Sequence, residues 1–508
     1  MTTMAELIAR HPDNAPALGA PDRDWLSYGA LRKLCASVRG ELHALGVGRG
    51  DRVAIVLPNG PEMAAAFVAI AQSATTAPLN PAYRADEFAF YLDDLSAKAV
   101  VLAEDDDGPA AQAAETAGVP LLRLRADIAA PAGTITQTGA SAEASDTSAP
   151  TAEDVALILH TSGTTSRPKI VPLLQSNVTA SAHNIARSLA LGPADVCMNI
   201  MPLFHIHGLV AAISASLAAG GSIWCTPGFN ALRFFADLET CHPTWFTAVP
   251  TMHQTILARA GRNADIIAQS RLRFLRSSSA SLPAPVMVAL EDTFGAPVVE
   301  GYGMTEAAHQ MCSNPLGKGT QKPGAVGVAA GPEVAIADEG EDHLLDYHVI
   351  GEVVISGPNV TPGYENNPEA NAKSFFEADG KRWFRTGDQG RFDTDRYLHL
   401  TGRLKEIINR GGEKVSPLEV DAVLLSHPDI AQAVTFALPH DKLGEEVAAA
   451  VVVAEDADLD ERAIRDHAAA SLADFKVPRK VLILDELPKG ATGKVVRIGL
   501  AEKLGLSS

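Results

Sequence analysis

The sequence predicts an α/β protein. A large N-terminal domain of parallel-type βαβ subdomains carries a small β-rich subdomain and is followed by a small mobile α+β C-terminal domain. Three observations lead there. Short apolar runs alternate with helix-period segments through residues 1–330. From Gly351 the runs become short strands separated by turns. Past Gly402 a basic segment with a glycine pair opens a further set of strands and helices, about a hundred residues long, a normal domain size. The 508 residues are too many for one core. The division is expected at 1–401 and 402–508.

The elements follow in order. Tyr28 to Leu45 has apolar residues at helical spacing, and Arg52-Val-Ala-Ile-Val-Leu-Pro58 is a short buried strand. Pro61 to Ala71 is a second helix and Lys98 to Ala103 a second strand. Ala129 to Glu153, rich in Ala, Ser, Thr, Gly and Pro, reads as a surface excursion without chemistry. Val155 to Leu159 is a buried strand that runs into His160-Thr-Ser-Gly-Thr-Thr-Ser-Arg-Pro-Lys169. Hydroxyls, a glycine and a lysine in one loop can wrap an anion, a triphosphate above all. The spacing is not that of the Walker A loop.

Thr244 to Pro250 and Leu272 to Arg276 are strands, the second entering Ser277-Ser-Ser-Ala-Ser-Leu282. Small residues at a strand's carboxyl end let a flat ring lie against backbone, where open α/β sheets bind ligands. Pro297 to Glu306 repeats the design: Tyr302 can stack on a base, Thr305 can reach a phosphate, and Glu306 offers a hard oxygen to Mg²⁺. Taken singly, Glu306 also reads as a solvated helix acid. Asp388, after Thr-Gly at a turn, can hold two ribose hydroxyls or simply stabilise the turn. His205 and His207 flank an isoleucine just after a strand pattern. Pro417 to Leu425 and Glu461 to Ala473 are helices, Ala433 to Ala437 and Ala448 to Val453 strands, and Lys489 and Lys494 stand in a glycine-bounded loop.

The formal net charge of −19 excludes a general nucleic-acid or anionic-membrane binder. The five cysteines are scattered with no CxxC pair, which predicts inert thiols and no cysteine–histidine metal site. The N-terminal residues lack signal-peptide character, no span is long enough to cross a membrane, and the C-terminal residues are not a peroxisomal signal. A cytoplasmic protein, monomer or homodimer, is expected.

Five motifs in register resemble the adenylate-forming superfamily of acyl-CoA synthetases, luciferases and adenylation domains, over Tyr28 to Lys494. They are Thr161 to Lys169, Gly301-Tyr-Gly-Met-Thr-Glu306, Thr386-Gly-Asp388, Gly402-Arg403 with Gly411-Gly-Glu-Lys414, and Pro488-Lys with Gly493-Lys494. Within the superfamily the chain looks most like the oxalate–CoA ligase group. Ser166-Arg167, Pro202 to Gly208, Thr247 to His253, Arg276 to Leu282, Gly357 to Thr361 and Arg410 to Pro417 carry that likeness. Ile170 departs from it, since glycine usually follows the lysine. So do Gly301 and Gly303, where alanines are common.

The resemblance implies ATP, coenzyme A and Mg²⁺ as cofactors and a small carboxylate, most of all oxalate, as substrate; malonate, fatty and aryl acids are the alternatives. It implies that Thr161, Ser162, Gly163, Thr164, Thr165 and Lys169 hold the β- and γ-phosphates, and that Thr305 and Glu306 hold the α-phosphate and the metal. Ser279, Ala280 and Ser281, with Glu300, Gly301 and Tyr302, form the adenine slot; Asp388 and Arg403 fix the ribose. Lys494 reaches the reacting α-phosphate and Lys405 marks the hinge. Gly411, Gly412 and Glu413 fall in the coenzyme A region, and His207, Ser279 and His309 grip the acid.

Overall fold

Apolar strands that are covered on both faces must lie inside a parallel sheet. Val53, Ala54, Ile55 and Val56 are all buried, and they sit in the middle of a seven-stranded sheet. The computed structural model describes residues 2–144, 146–161, 168–317, 319–454, 457–489 and 495–506. In the first sheet Leu121–Ala126, Ala99–Ala103, Arg52–Val56, Thr75–Pro78 and Val155–Thr161 run parallel. Ile135–Thr138 and Lys169–Leu174 close its two edges antiparallel.

The stretch expected to be a bare excursion therefore contributes an edge strand. Ile135 and Gln137 alternate inward with Thr136 and Thr138 outward, a two-residue period too short to stand out in a polar, alanine-rich segment.

The second sheet has nine strands. Its parallel centre is Val298–Met304, Phe274–Ser278, Trp245–Ala248, Val196–Asn199, Ser222–Cys225 and Pro16–Ala20. Pro16–Ala20 and Arg23–Ser27 thus leave the first 150 residues to join the second body. Trp245 is fully buried and stacks on Phe274 with ring centroids 5.5 Å apart. The apolar run after His205 forms an eight-residue π-helix, His207–Ser214, buried along its length, and then the helix Ala215–Ala219. Among the described residues no helix is long and apolar enough to cross a membrane.

A third sheet, all antiparallel, joins Glu333–Ala337, Gly351–Ser356, Lys381–Phe392, Phe375–Ala378 and Leu398–Arg403. The Thr-Gly-Asp element lies inside the long strand Lys381–Phe392 and not at a turn between strands. Gly387, at φ +73°, lies in a bulge where Lys381–Phe392 shifts register against Gly351–Ser356, while Asp388 stays paired with Arg403 on the other side. The division expected after residue 401 falls within Leu398–Arg403, whose last residues Gly402 and Arg403 still pair with Gln389 and Asp388.

The C-terminal body is a mixed sheet of Glu413–Val415, Ile408–Arg410, Gly444–Val453, Ile430–His440 and Lys480–Ile483, with helices Pro417–Leu424 and Glu461–Ala469. Arg497 ties it to the preceding turn, donating to Asp421 Oδ2 at 2.5 Å and Glu406 Oε2 at 2.9 Å.

Trp245→Ala removes a fully buried indole and its stacking on Phe274. It is expected to cost about 3–5 kcal/mol, read as a lower denaturation midpoint of the N-terminal body by tryptophan-independent circular dichroism.

Candidate active site

Where several parallel strands end side by side, their last residues and the loops after them face one cleft. Here the carboxyl ends of Trp245–Ala248, Phe274–Ser278 and Val298–Met304 meet the start of the π-helix. His207 is wholly buried at that start. Its Nε2 lies 2.6 Å from Thr247 Oγ1 and its Nδ1 lies 3.0 Å from Ser279 Oγ. The His309 ring packs against it with centroids 5.0 Å apart. The three residues expected to grip the acid are therefore brought together, and Thr247 joins them.

Two of these residues occupy unusual backbone. Ser279 has φ +75° and His309 φ +99°, conformations that side-chain-bearing residues seldom adopt and that concentrate at ligand sites. Gly303 explains how His309 is accommodated. A Cβ there would meet the His309 carbonyl oxygen at 1.9 Å, so an alanine in place of Gly303 would force this strand pair apart.

A second group surrounds Glu306, which is buried in a short 3-10 turn, Thr305–Ala307. Tyr364 donates its hydroxyl to Glu306 Oε1 at 2.8 Å, and the Lys169 ammonium lies 4.1 Å above the Tyr364 ring. Burial pushes the Glu306 carboxyl up, against the Tyr364 hydrogen bond and the Lys169 charge, which pull it down. Burial also lowers Lys169; Glu306 opposes that shift and Lys405 adds to it. Lys405 is thus close enough for its charge to be felt at Lys169.

Tyr364 was not foreseen. The motif ending at Thr361 was legible, and an aromatic three residues further, after Pro-Gly, was the available signal. Ile170, the departure after the lysine, is buried, and its carbonyl accepts from Glu365 N at 3.1 Å.

The third group links the second and third sheets. Tyr302 donates its hydroxyl to Asp388 Oδ2 at 2.5 Å, and Arg403 Nε lies 3.1 Å from Asp388 Oδ1. The Asp388 carboxylate raises Arg403, and burial raises the Tyr302 hydroxyl. The Tyr302 hydroxyl is thereby committed to Asp388.

Glu300 sits beneath the loop rather than on its open side: its Oε1 accepts from Leu282 N at 2.8 Å, fixing the run that exposes Ala280 and Ser281. Gly411, Gly412 and Glu413 lie apart from all three groups, in and beside the exposed turn joining Ile408–Arg410 to Glu413–Val415. Thr161 and Lys169 face each other in register at the neck of the phosphate loop. Ser162, Gly163, Thr164, Thr165 and Lys494 lie outside the described residues.

Two α/β bodies whose strand ends converge on a buried acid, with a β-rich subdomain and a separate C-terminal body beside them, have the build of an adenylate-forming enzyme. The chain belongs to the AMP-binding enzyme family: the family model matches residues 4–365 and that of the AMP-binding enzyme C-terminal domain residues 419–494. It is similar to a probable CoA ligase of Humulus lupulus, 47% identical over 94% of this chain and 91% of the relative. It is similar also to an oxalate–CoA ligase of Arabidopsis thaliana, 43% identical over 98% of this chain and 97% of that one. Among solved structures, ATP-bound MatB from Rhodopseudomonas palustris superposes with a TM-score of 0.87 at 29% identity, covering 99% of each chain.

Glu300 carries a pH prediction. Burial raises its carboxyl to about 8, well above the ordinary value of 4.5. The folded state then holds a proton that the unfolded state has lost, so stability falls as pH rises between those values. Glu300→Gln keeps the acceptor for Leu282 N and removes the titration. It is expected to gain a few kcal/mol over wild type as pH climbs from 5 to 8, with no further gain above. Urea melts across that range check it; a difference independent of pH contradicts it.

Proposed function

We propose that the protein is an ATP-dependent acid–CoA ligase whose acid is small and doubly charged, oxalate foremost. The observation that carries this is the polar floor of the acid pocket. His207, Thr247, Ser279 and His309 fill the place where an apolar tunnel for a fatty tail would begin. The similarity to an oxalate–CoA ligase along nearly the whole chain points the same way.

In this reading Lys169, Thr161 and the hydroxyl-rich loop 162–165 hold the β- and γ-phosphates. Partial burial strips water from Lys169, so its charge acts on the phosphates through a poorer dielectric than bulk water. Thr305 offers its hydroxyl to the α-phosphate. Glu306 would hold Mg²⁺: one buried carboxylate next to a phosphate site suits an ion that takes one or two carboxylates, phosphate oxygens and water. The ion's contribution is to neutralise phosphate charge.

Asp388 accepts from the ribose hydroxyls, kept in place by Tyr302 and Arg403. Gly301, Tyr302 and the run Ser279 to Ser281 shape the adenine slot, with Glu300 bracing it. The acid's carboxylate oxygen attacks the α-phosphorus, the bond to the β-phosphate oxygen breaks, and pyrophosphate leaves. Lys494, on the C-terminal body, faces the charge that develops in that step. The chain turns about Lys405, the Gly411–Glu413 hairpin swings toward coenzyme A, and the thiolate attacks the acyl carbon to release AMP. We take residues 1–401 and 402–508 as the two moving parts, the switch lying just past Arg403.

Lys494→Ala is expected to slow acyl-adenylate formation by about 10²–10³, the usual loss of one preorganised donor, while sparing thioester formation from supplied acyl-adenylate. Equal loss in both half-reactions argues against this role. The acid is tested by thioester yield with ATP, Mg²⁺, coenzyme A and a panel of oxalate, malonate, hexanoate, palmitate and benzoate. Oxalate is expected to lead; a lead for palmitate or benzoate rejects the reading.

A further inference from the structure

Arg276 is one of the largest fully buried side chains in the protein and has no exposed surface. Its Nη2 donates to Gln310 Oε1 at 3.1 Å, while Nε and Nη1 have no hydrogen-bond partner. Among the described residues no carboxylate forms an ion pair with it. Burial lowers the guanidinium to about 10, so it still carries its charge at neutral pH. A buried charge with one neutral partner is costly, and a fold keeps such a group where something anionic completes it.

Its position says where that anion belongs. In register Arg276 stands beside Thr247, whose hydroxyl meets His207, and opposite Val299 on the next strand. The guanidinium reaches onward toward the strands' carboxyl ends: a Cβ on Gly301, two residues past Val299, would lie 3.1 Å from Nη2. The Gln310 amide is itself held by Ser188 Oγ and Ala330 O, each at 2.9 Å, so it offers Arg276 a fixed acceptor but no charge. Gln310 directly follows His309. Arg276 is thus linked to the His207, Ser279 and His309 cluster through its neighbours, Thr247 beside it and Gln310 next to His309, and its Nε and Nη1 remain unpartnered.

We propose that Arg276 is the fixed positive charge that selects a doubly charged acid, directed at the carboxylate that is not activated. This rests on the reading of the cleft as an acid pocket. Such a charge would distinguish doubly from singly charged small acids in a pocket otherwise lined by hydroxyl and imidazole groups. A forked guanidinium also suits a planar carboxylate better than an ammonium does.

The test compares oxalate with acetate, a two-carbon acid of one charge, in acid-dependent pyrophosphate release by the full-length enzyme. Arg276→Met is expected to raise the oxalate KM by about a hundredfold, leaving acetate turnover and the ATP dissociation constant within a fewfold of wild type. Arg276→Lys, which keeps charge and volume, is expected to recover about tenfold of that loss and serves alone if the methionine variant does not fold. Stabilisation by oxalate in a thermal melt should shrink in the same order. An unchanged oxalate KM, or parallel losses for both acids, overturns the role of Arg276. Wild-type enzyme that prefers monoacids overturns the functional reading itself, before any variant is compared.

Discussion

The contact among Lys169, Tyr364 and Glu306 is the one on which the rest of the cleft depends. Each residue comes from a different part of the fold: Lys169 from the edge of the first sheet, Glu306 from the turn after the second, Tyr364 from the segment leading to the third. The segment around Tyr364 is stitched to both sheets by backbone. Thr361 N donates to Glu306 O at 2.7 Å, Thr361 Oγ1 to Pro172 O at 2.7 Å and Glu365 N to Ile170 O at 3.1 Å. Backbone bonds of this kind fix strand against strand, so the acid and the lysine cannot drift apart to find water separately. Their charges are held close and partly dry, which is costly in the absence of a further partner.

The same economy recurs across the cleft. Asp388 is held by a tyrosine hydroxyl and an arginine, and His207 by two hydroxyls. The strained backbone at Ser279 and His309 fits this picture, because it is sustained by the packing of three strands and by the bare Cα of Gly303. Close to the His207 group, Arg276 is buried with Gln310 as its one side-chain partner.

Much of this was legible in the chain. The buried strands announced themselves because doubly covered strands are continuous apolar runs, as at Val53–Val56 and Val298–Val299. Residues that the structure gathers in the cleft were legible as polar types set beside glycines, as with Glu306, Asp388 and His207. Other features depend on long-range pairing that no local pattern encodes. Pro16–Ala20 joins a strand more than two hundred residues away, at Ser222–Cys225. Ile135–Thr138 hides in a polar stretch because an edge strand needs only two inward residues. Tyr364 and Thr247 act through partners distant in sequence, and the Thr-Gly-Asp bulge reads as a turn until Gly351–Ser356 and Leu398–Arg403 are seen flanking it.

On the function proposed above, this cleft activates a small dianionic acid by adenylation, without help from coenzyme A. Exchange of labelled pyrophosphate into ATP, measured with coenzyme A absent, reports that half-reaction alone. Exchange is expected to depend on oxalate and to be weak with hexanoate or benzoate. Exchange driven by hexanoate or benzoate and indifferent to oxalate would contradict it.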